Sequence, residues 1–264
     1  MNFGARIAIA LLWLVHWLPA RWQSALGAIV GALAYRFAGG RRRIALRNLE
    51  LCLPELDAAA RERLAREHFR WLGCSIVERG LLWYASRERL TALIEVTGDV
   101  GFAERSAAPV MWLVPHFMAL EAAATAVQLF QQRRGATIYQ RQSNPVFDAA
   151  VRAGRERFGD SVLFSRKDSA KPLIRAIRQD KLGFFNLPDM DFGRKDAEFV
   201  PFFGVSAATL IAPARMAKML GMVVQPVVAE MRDGGGWRVT FHEPWSGWPT
   251  DDPIADTLRL NQWI

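Results

Sequence analysis

His116 and Glu121 are the side chains of this sequence best placed for acid–base chemistry. The histidine follows the apolar run Val110–Val114 and Pro115, and the glutamate comes five residues after it. Five residues turn an α-helix through about 500°, so the two side chains would lie on different faces of one continuous helix. Pro115 disfavours helix at the preceding residue, which favours a loop at His116. The spacing predicts either a histidine base with an acidic partner or a histidine satisfied by backbone beside a surface glutamate.

Two other motifs imitate catalytic sites but favour structural roles. Ser206 lies in a Gly-Val-Ser-Ala-Ala segment that resembles a nucleophile elbow, yet a helical pattern follows it, so we predict a helix cap there. The run Gly234–Gly236 separates two strand-like segments and predicts a hairpin turn, since no helix follows it to bind phosphate. The scattered histidines and the two cysteines, Cys52 and Cys74, predict no metal site and no disulfide framework.

The elements that must position these residues alternate between strands and helices after Gly98. An amphipathic pattern from Leu56 to Tyr84 predicts one or two helices before that point. The predicted strands are Val110–Val114, Ala136–Tyr139, Val162–Phe164, Leu182–Leu187, Met222–Ala229 and Trp237–Phe241. The predicted helices are Phe117–Gln132, Pro145–Phe158, Ser169–Gln179 and Ala207–Leu220. The alternation predicts an α/β layered sandwich with a mixed, largely parallel sheet flanked by helices, and sites at the C-terminal ends of the strands.

The composition sets the class of protein. Of 264 residues, 51% are apolar and 23% are charged, which excludes a disordered chain. No repeat of solenoid length occurs, so one compact domain is favoured. The 34 basic against 26 acidic side chains give a net charge of +8, which requires an acidic partner: nucleic acid, anionic lipid or an acidic protein. Ten tryptophans against three tyrosines favour the lipid surface.

The N-terminal residues carry a membrane signal of their own. Ile7–Ala20 and Trp22–Tyr35 are uncharged stretches of 14 residues, shorter than the roughly 20 that span a bilayer. They predict a tilted anchor or a pair of interfacial helices over residues 1–40, with the remaining domain at 41–264. The cluster Arg41–Arg43 with Arg47 follows directly, and such a cluster is expected on the cytoplasmic side.

Four blocks in order carry a family resemblance. They are Arg41–Glu55 (RRRIALRNLELCLPE), Val114–Glu121 (VPHFMALE), Tyr139–Pro145 (YQRQSNP), and Asn186–Gly193 (NLPDMDFG) continuing through Val200–Gly204 (VPFFG) to Thr209. Together they resemble the lipid A biosynthesis acyltransferases, the late lauroyl and myristoyl transferases of lipopolysaccharide assembly. The likeness extends over the whole chain and implies a fold like that of the glycerolipid acyltransferases.

The resemblance also implies roles for particular residues. His116 and Glu121 match the family's His-x4-acid catalytic motif. Arg141, Asn144, Asp189, Asp191 and Arg194 are implied to bind substrate, with Arg194 and the neighbouring Lys195 as candidates for phosphate, because guanidinium groups match phosphate oxygens.

Two positions depart from the family pattern. Gln140 occupies the place where the family has arginine after the tyrosine, and Arg141 comes one residue later. Family members also usually continue past a helix like the last one here into a basic tail, whereas this sequence stops at Ile264. The resemblance therefore predicts a C-terminal end that is cut short.

The implied reaction is transfer of a fatty acyl group from acyl carrier protein to a hydroxyl of a lipid A precursor. His116 would take the hydroxyl proton as general base, Glu121 would fix the histidine tautomer, and Arg141 or the N-terminus of the following helix would stabilise the oxyanion. Transfer would be direct, with no acyl-enzyme, no metal and no cofactor beyond the phosphopantetheine of the carrier protein. The implied partners are acyl carrier protein, the precursor and membrane lipids, but not nucleic acid. The implied location is the inner membrane, with the catalytic domain facing the cytoplasm.

Three alternatives stay open from the sequence. The acceptor could be a different glycolipid or an aminolipid, handled with the same His-acid pair. The chain could be an inactive relative that binds lipid at the membrane. A hydrolase that uses Ser206 as nucleophile is the third.

Overall fold

The computed structural model describes residues 2–159, 161–165, 170–190 and 197–264. The helices are α1 (Asn2–Val15), α2 (Ala20–Phe37), α3 (Gly39–Cys52), α4 (Ala58–Val77), α5 (Arg79–Tyr84), α6 (Arg87–Leu93), α7 (Phe102–Arg105), α8 (Leu120–Phe130), α9 (Pro145–Arg155), α10 (Lys171–Asp180), α11 (Ala212–Leu220) and α12 (Pro253–Trp263). The strands are β1 (Ile94–Gly98), β2 (Val110–Leu113), β3 (Gly135–Tyr139), β4 (Val162–Ser165), β5 (Gly183–Asn186), β6 (Ala197–Phe202), β7 (Val205–Leu210), β8 (Val223–Met231) and β9 (Trp237–Phe241).

Seven of these strands form one mixed sheet in the order β1-β9-β8-β2-β5-β3-β4. All neighbouring pairs are parallel except β8 and β9, which form an antiparallel hairpin around the glycine run. Helices cover the sheet, so the predicted α/β class and its largely parallel sheet are confirmed. The hairpin predicted at Gly234–Gly236 is confirmed as well.

The central strands are buried because their side chains enter packed cores on both faces of the sheet. Every residue of β2 is buried, with Trp112 and Val110 in one core and Met111 and Leu113 in the other. A strand buried on both faces requires a continuous apolar sequence, which is why this run was recognisable.

The first helices pack onto the rest of the chain through glycines. A Cβ atom added at Gly31 would lie 2.2 Å from the Phe69 oxygen, and one at Gly73 would lie 2.1 Å from the Gly27 oxygen. The absence of side chains at these positions therefore lets α2 and α4 approach closely. Among the described helices, none combines the length and the apolar character needed to cross a membrane.

The segment around Ser206 differs from the sequence prediction. Ala207–Leu210 belong to β7, which pairs with β6 in an antiparallel hairpin, and helix α11 begins only at Ala212. The predicted helix start was therefore wrong, and Ser206, opposite Pro201 in this hairpin, does not cap a helix. Strand pairing outweighs the helical preference of the alanines, because preference is a weak bias that tertiary contacts override.

Candidate active site

The candidate site lies where two neighbouring parallel strands end. His116 is in the loop between β2 and α8, as the proline before it predicts. Asp189 lies in the segment after β5, the strand paired with β2, where Leu113 is opposite Asn186. Each residue follows the last residue of its strand by three positions. The register of the two strands therefore brings His116 and Asp189 together at the C-terminal edge of the sheet.

The Asp189 carboxylate holds His116 through two hydrogen bonds. The His116 backbone N–H donates to Asp189 Oδ2 over 2.8 Å, and the ring Nδ1 lies 2.7 Å from Asp189 Oδ1. A carboxylate accepts hydrogen bonds, so this contact favours the tautomer in which Nδ1 is the donor and the lone pair of the neutral ring is on Nε2. The histidine side chain is 32% exposed, so part of the ring is open to solvent at this edge of the sheet.

Glu121 has a different partner from the one expected. Its carboxylate accepts hydrogen bonds from Arg155, one from Nε to Oε2 over 3.1 Å and a shorter one from the terminal guanidinium nitrogen to Oε1. The contact expected between Glu121 and the imidazole is therefore corrected, because the Nδ1 position belongs to Asp189. Glu121 lies in the first turn of α8 and Arg155 ends α9, so their ion pair joins these two helices.

The charge of Glu121 follows from this environment. Burial alone would raise the pKa of the Glu121 carboxyl, but Arg155, with Arg79 adding to it, outweighs burial and holds that pKa below its usual value. Glu121 is therefore ionised at neutral pH and forms a charged pair with Arg155.

A mostly apolar cleft, here called the slot, lies beside this ion pair. Its volume is about 550 Å³, counting the space that is open to solvent. Helix α8 and strands β3, β4 and β5 supply most of its wall, which is formed by Leu120, Glu121, Ala124, Val127, Gln128, Gly135, Ala136, Thr137, Ile138, Arg155, Ser161, Leu163, Phe185 and Leu187. From Leu120 to Gln128 the slot follows α8 for about 12 Å. Its mostly apolar lining is the kind of surface that a hydrocarbon chain contacts.

The other expected site residues have these positions. Asn144 caps α9, where its Oδ1 accepts hydrogen bonds from the N–H groups of Val146 and Phe147. Arg141 is exposed in the segment between β3 and α9. Asp191 and Arg194 lie outside the described residues.

Two features of the site were missed by the sequence reasoning. Asp189 was expected to bind substrate, and its contact with His116 depends on the adjacency of β2 and β5, which no local pattern reveals. Arg155 was not singled out because arginines are abundant in this chain. The position of Arg155 at the end of a helix that begins in a family block was the only available signal.

Comparison with known proteins gives consistent matches along the whole chain. The family model described as bacterial lipid A biosynthesis acyltransferase matches residues 2–264. The chain is 33% identical over 263 residues to the lipid A biosynthesis lauroyltransferase of Escherichia coli (strain K12), covering 97% of this chain and 83% of that protein. It is 30% identical to the palmitoleoyltransferase of the same organism, with coverages of 94% and 80%, and 32% identical to the myristoyltransferase, with coverages of 90% and 73%. The resemblance inferred from the four blocks is confirmed.

Proposed function

Because this chain belongs to the bacterial lipid A biosynthesis acyltransferase family, we propose that it transfers a fatty acyl group from acyl carrier protein to a hydroxyl of a lipid A precursor. The observation that carries the mechanism is the contact between His116 and Asp189. It occupies Nδ1 and so assigns the role of base to Nε2 of a partly exposed ring at the edge of the sheet.

His116 is the general base of this proposal. An alcohol is a weak nucleophile at neutral pH, so its proton must leave as its oxygen attacks the thioester carbonyl. His116 Nε2 accepts that proton, and Asp189 stabilises the imidazolium that forms. The tetrahedral intermediate then collapses, the C–S bond breaks, and the thiolate of phosphopantetheine takes the proton from Nε2. The acyl group passes directly to the acceptor oxygen, without an acyl-enzyme.

The oxyanion of the tetrahedral intermediate needs a nearby donor. Helix α8 begins directly after the His116 loop and has no side-chain cap. The N–H groups of Leu120 and Ala122 already donate to the backbone oxygens of Phe117 and Ala119. The N–H of Glu121 and the exposed guanidinium of Arg141 are therefore the donors that we propose for this role.

Glu121 acts as a positioning residue in this proposal. Its ion pair with Arg155 fixes the start of α8 against the end of α9, and the loop that carries His116 leads into that start. Glu121 thus acts on the base through the placement of the loop.

The two substrates occupy different parts of the site. The acyl chain of the donor fills the slot, where apolar side chains replace water around it. Arg194, Lys195 and Asp191 contact the phosphorylated sugar of the acceptor, as the family resemblance implies. Asn144 caps α9, and the family resemblance implies that it binds substrate.

The charge and surface of the N-terminal helices support work at a bilayer. Residues 2–52 contain seven arginines and one glutamate, a net charge of +6, against +8 for the whole chain. The same segment exposes large apolar side chains, among them Phe3, Trp22 and Phe37 on helices and Trp17 in the turn between α1 and α2. We propose that they lie in the cytoplasmic interface of the inner membrane and that the arginines contact anionic lipid. The acidic carrier protein approaches the basic catalytic domain from the cytoplasm.

The decisive experiment incubates the purified chain with acyl carrier protein thioesters of several lengths and a phosphorylated lipid A precursor. Mass spectrometry should show one added acyl chain, and this product should be absent for His116→Ala. His242→Ala, which removes another exposed histidine, and Ser206→Ala should both retain activity. Equal product from wild type and His116→Ala would refute the role of His116 as general base. Product formed only with a different acceptor lipid would refute the lipid A precursor as the acceptor.

A further inference from the structure

We propose that a groove between α2 and α4 binds the phosphate headgroup of an anionic phospholipid. This arginine groove is lined by Ala28, Ala32, Tyr35, Arg63, Arg66, Glu67 and Arg70. It is separate from the slot and from His116. The proposal rests on the bilayer attachment of α1–α3 given above, and it adds a defined lipid site to that attachment.

The groove concentrates positive charge on one side of α4. Arg63, Arg66 and Arg70 are spaced by three and four residues, which places them as neighbours along one helix face. Like charges at this spacing repel one another, and a bound anion would relieve that repulsion. Two of these arginines already pair with carboxylates: Arg70 donates to both oxygens of Glu67 and lies 3.3 Å from Asp233, and Arg66 lies 2.7 Å from Glu62. Arg63 forms no ion pair with any residue in the described part of the chain.

The Tyr35 ring organises two of the cations around the groove. The guanidinium carbon of Arg66 lies 4.5 Å from the ring centroid, and that of Arg42, from α3, lies 5.3 Å from it. Stacking on a shared ring restricts these side chains before a ligand arrives, so less freedom is lost on binding. Guanidinium groups also match phosphate oxygens in geometry. Arg66 is thereby held in place beside Arg63, the groove arginine that we propose as the main phosphate contact.

The position of the groove on α2 matches the level of lipid headgroups. Ile29 and Leu33 are exposed on α2, by 58% and 53%, and they follow Ala28 and Ala32 by one residue each. One residue is about 100° around a helix, so the groove lies on the flank of the exposed apolar stripe. When that stripe enters the acyl region, its flank lies among the headgroups.

The arginine groove lies beside the exposed apolar stripe of α2, and this favours a lipid over an acidic protein as the occupant. An acidic protein would satisfy the arginines but would leave Ile29 and Leu33 in water. A phospholipid supplies a phosphate for the arginines and acyl chains for the apolar stripe beside them. The two needs are met together only at an anionic bilayer.

The test compares binding of the full chain to phosphatidylcholine vesicles with and without phosphatidylglycerol. Arg63→Gln should weaken binding to the anionic vesicles by about fivefold, the effect of one cation at such a surface. Ala32→Leu keeps every charge but fills the groove, and it should weaken the same binding while binding to neutral vesicles is unchanged. Arg61→Gln is the matched control, because Arg61 lies on α4 about 160° around the helix from Arg63. Circular dichroism should show that all variants are folded.

Other outcomes would overturn the site. Equal losses for Arg61→Gln and Arg63→Gln would mean that only overall charge matters. A loss of binding to acyl carrier protein, with vesicle binding intact, would assign the groove to that protein. Transferase activity in detergent, measured in parallel, is expected to be unchanged in Arg63→Gln. It separates a failure of this site from a failure of the proposed function.

Discussion

At the scale of single residues, the reactivity of His116 depends on which nitrogen carries the proton. The Asp189 carboxylate accepts from Nδ1 and so leaves the lone pair on Nε2. In Asp189→Asn the side-chain amide could donate to Nδ1, which would move the proton to Nε2 and remove the base. We predict a fall in kcat of about a hundredfold or more, with little change in KM for the donor, measured by steady-state transfer assays.

The control for this prediction is Asp251→Asn, which removes a fully exposed carboxylate paired with Lys218. It should have wild-type kinetics. If Asp189→Asn retained full kcat while folding normally, Asp189 would not orient the base, and the partner of His116 during turnover would have to be another carboxylate.

Glu78 is a second residue whose protonation has a measurable consequence. Its side chain is 1% exposed, and both carboxylate oxygens are without hydrogen-bond partners among the described residues. Burial raises the pKa of Glu78 to about 8, from an ordinary value of 4.5. Between these values the folded protein keeps a proton that the unfolded chain has released. Stability therefore falls as pH rises through this interval, by up to about 1.4 kcal/mol per pH unit.

We predict that Glu78→Gln removes this decline, because glutamine does not titrate. Urea unfolding across the interval should give a flatter free energy of unfolding against pH for the variant and a more stable protein at its upper end. Glu198→Gln, at an exposed position of β6, should keep the wild-type slope. A wild-type slope in Glu78→Gln would mean that another group causes the decline.

The residue types of the site were predictable, but their partners were not. Pro115 and the five-residue spacing indicated a histidine in a loop, and the structure has it there. The carboxylate against its Nδ1 comes from 73 positions further along the chain. That contact requires the strand order and register, which no pattern around His116 contains.

At the scale of elements, the depth of the slot should decide which donors are accepted. Gly135 lies in its wall at the start of β3, and an added Cβ would be 3.6 Å from Ser161 Oγ and 3.7 Å from Val127 Cγ1. These are ordinary contact distances, so Gly135→Ala should fold while its methyl group shortens the slot. We predict that the rate with the longest accepted acyl chain falls about tenfold relative to a shorter one.

Competition between acyl carrier protein thioesters of different lengths would measure this ratio. Gly40→Ala is the matched control, since an added Cβ there meets nothing within 4 Å. An unchanged ratio in Gly135→Ala would show that the acyl chain lies elsewhere.

Strands that are buried in the structure were predicted from the sequence more often than strands that are partly exposed. The central strand β2 is a continuous apolar run, buried at every residue. Strand β9 alternates buried and more exposed residues, and its predicted bounds agreed with the structure at both ends. The strands β1, β6 and β7 were missed because they are only partly buried and carry mixed polar residues. In β7 the alanines favour a helix, and only pairing with β6 makes them a strand.

At the scale of the whole molecule, net positive charge and exposed apolar surface are both concentrated in the N-terminal helices. The composition indicated a lipid partner, and the pattern of the first 40 residues indicated helices. How those helices pack was not available from sequence. The structure has α2 against α4, and α1 against both α5 and α9, the helix that carries Arg155. The surface that we propose for bilayer contact is thereby connected to the site through packed helices.

This arrangement makes the depth of the first helices in the bilayer testable. Trp13, Trp17 and Trp22 are exposed by 47%, 66% and 59%, so lipid can reach their rings. Interfacial helices keep such rings near the headgroups, whereas a spanning helix carries part of its length to the bilayer centre. We predict that lipids brominated near the headgroup quench the tryptophan emission more than lipids brominated near the chain end. The difference should vanish when the three tryptophans are replaced by phenylalanine and persist in Trp245→Phe. Stronger quenching by deep bromine would instead mean that these helices enter the hydrocarbon core, and the headgroup position argued for the arginine groove would then be lost.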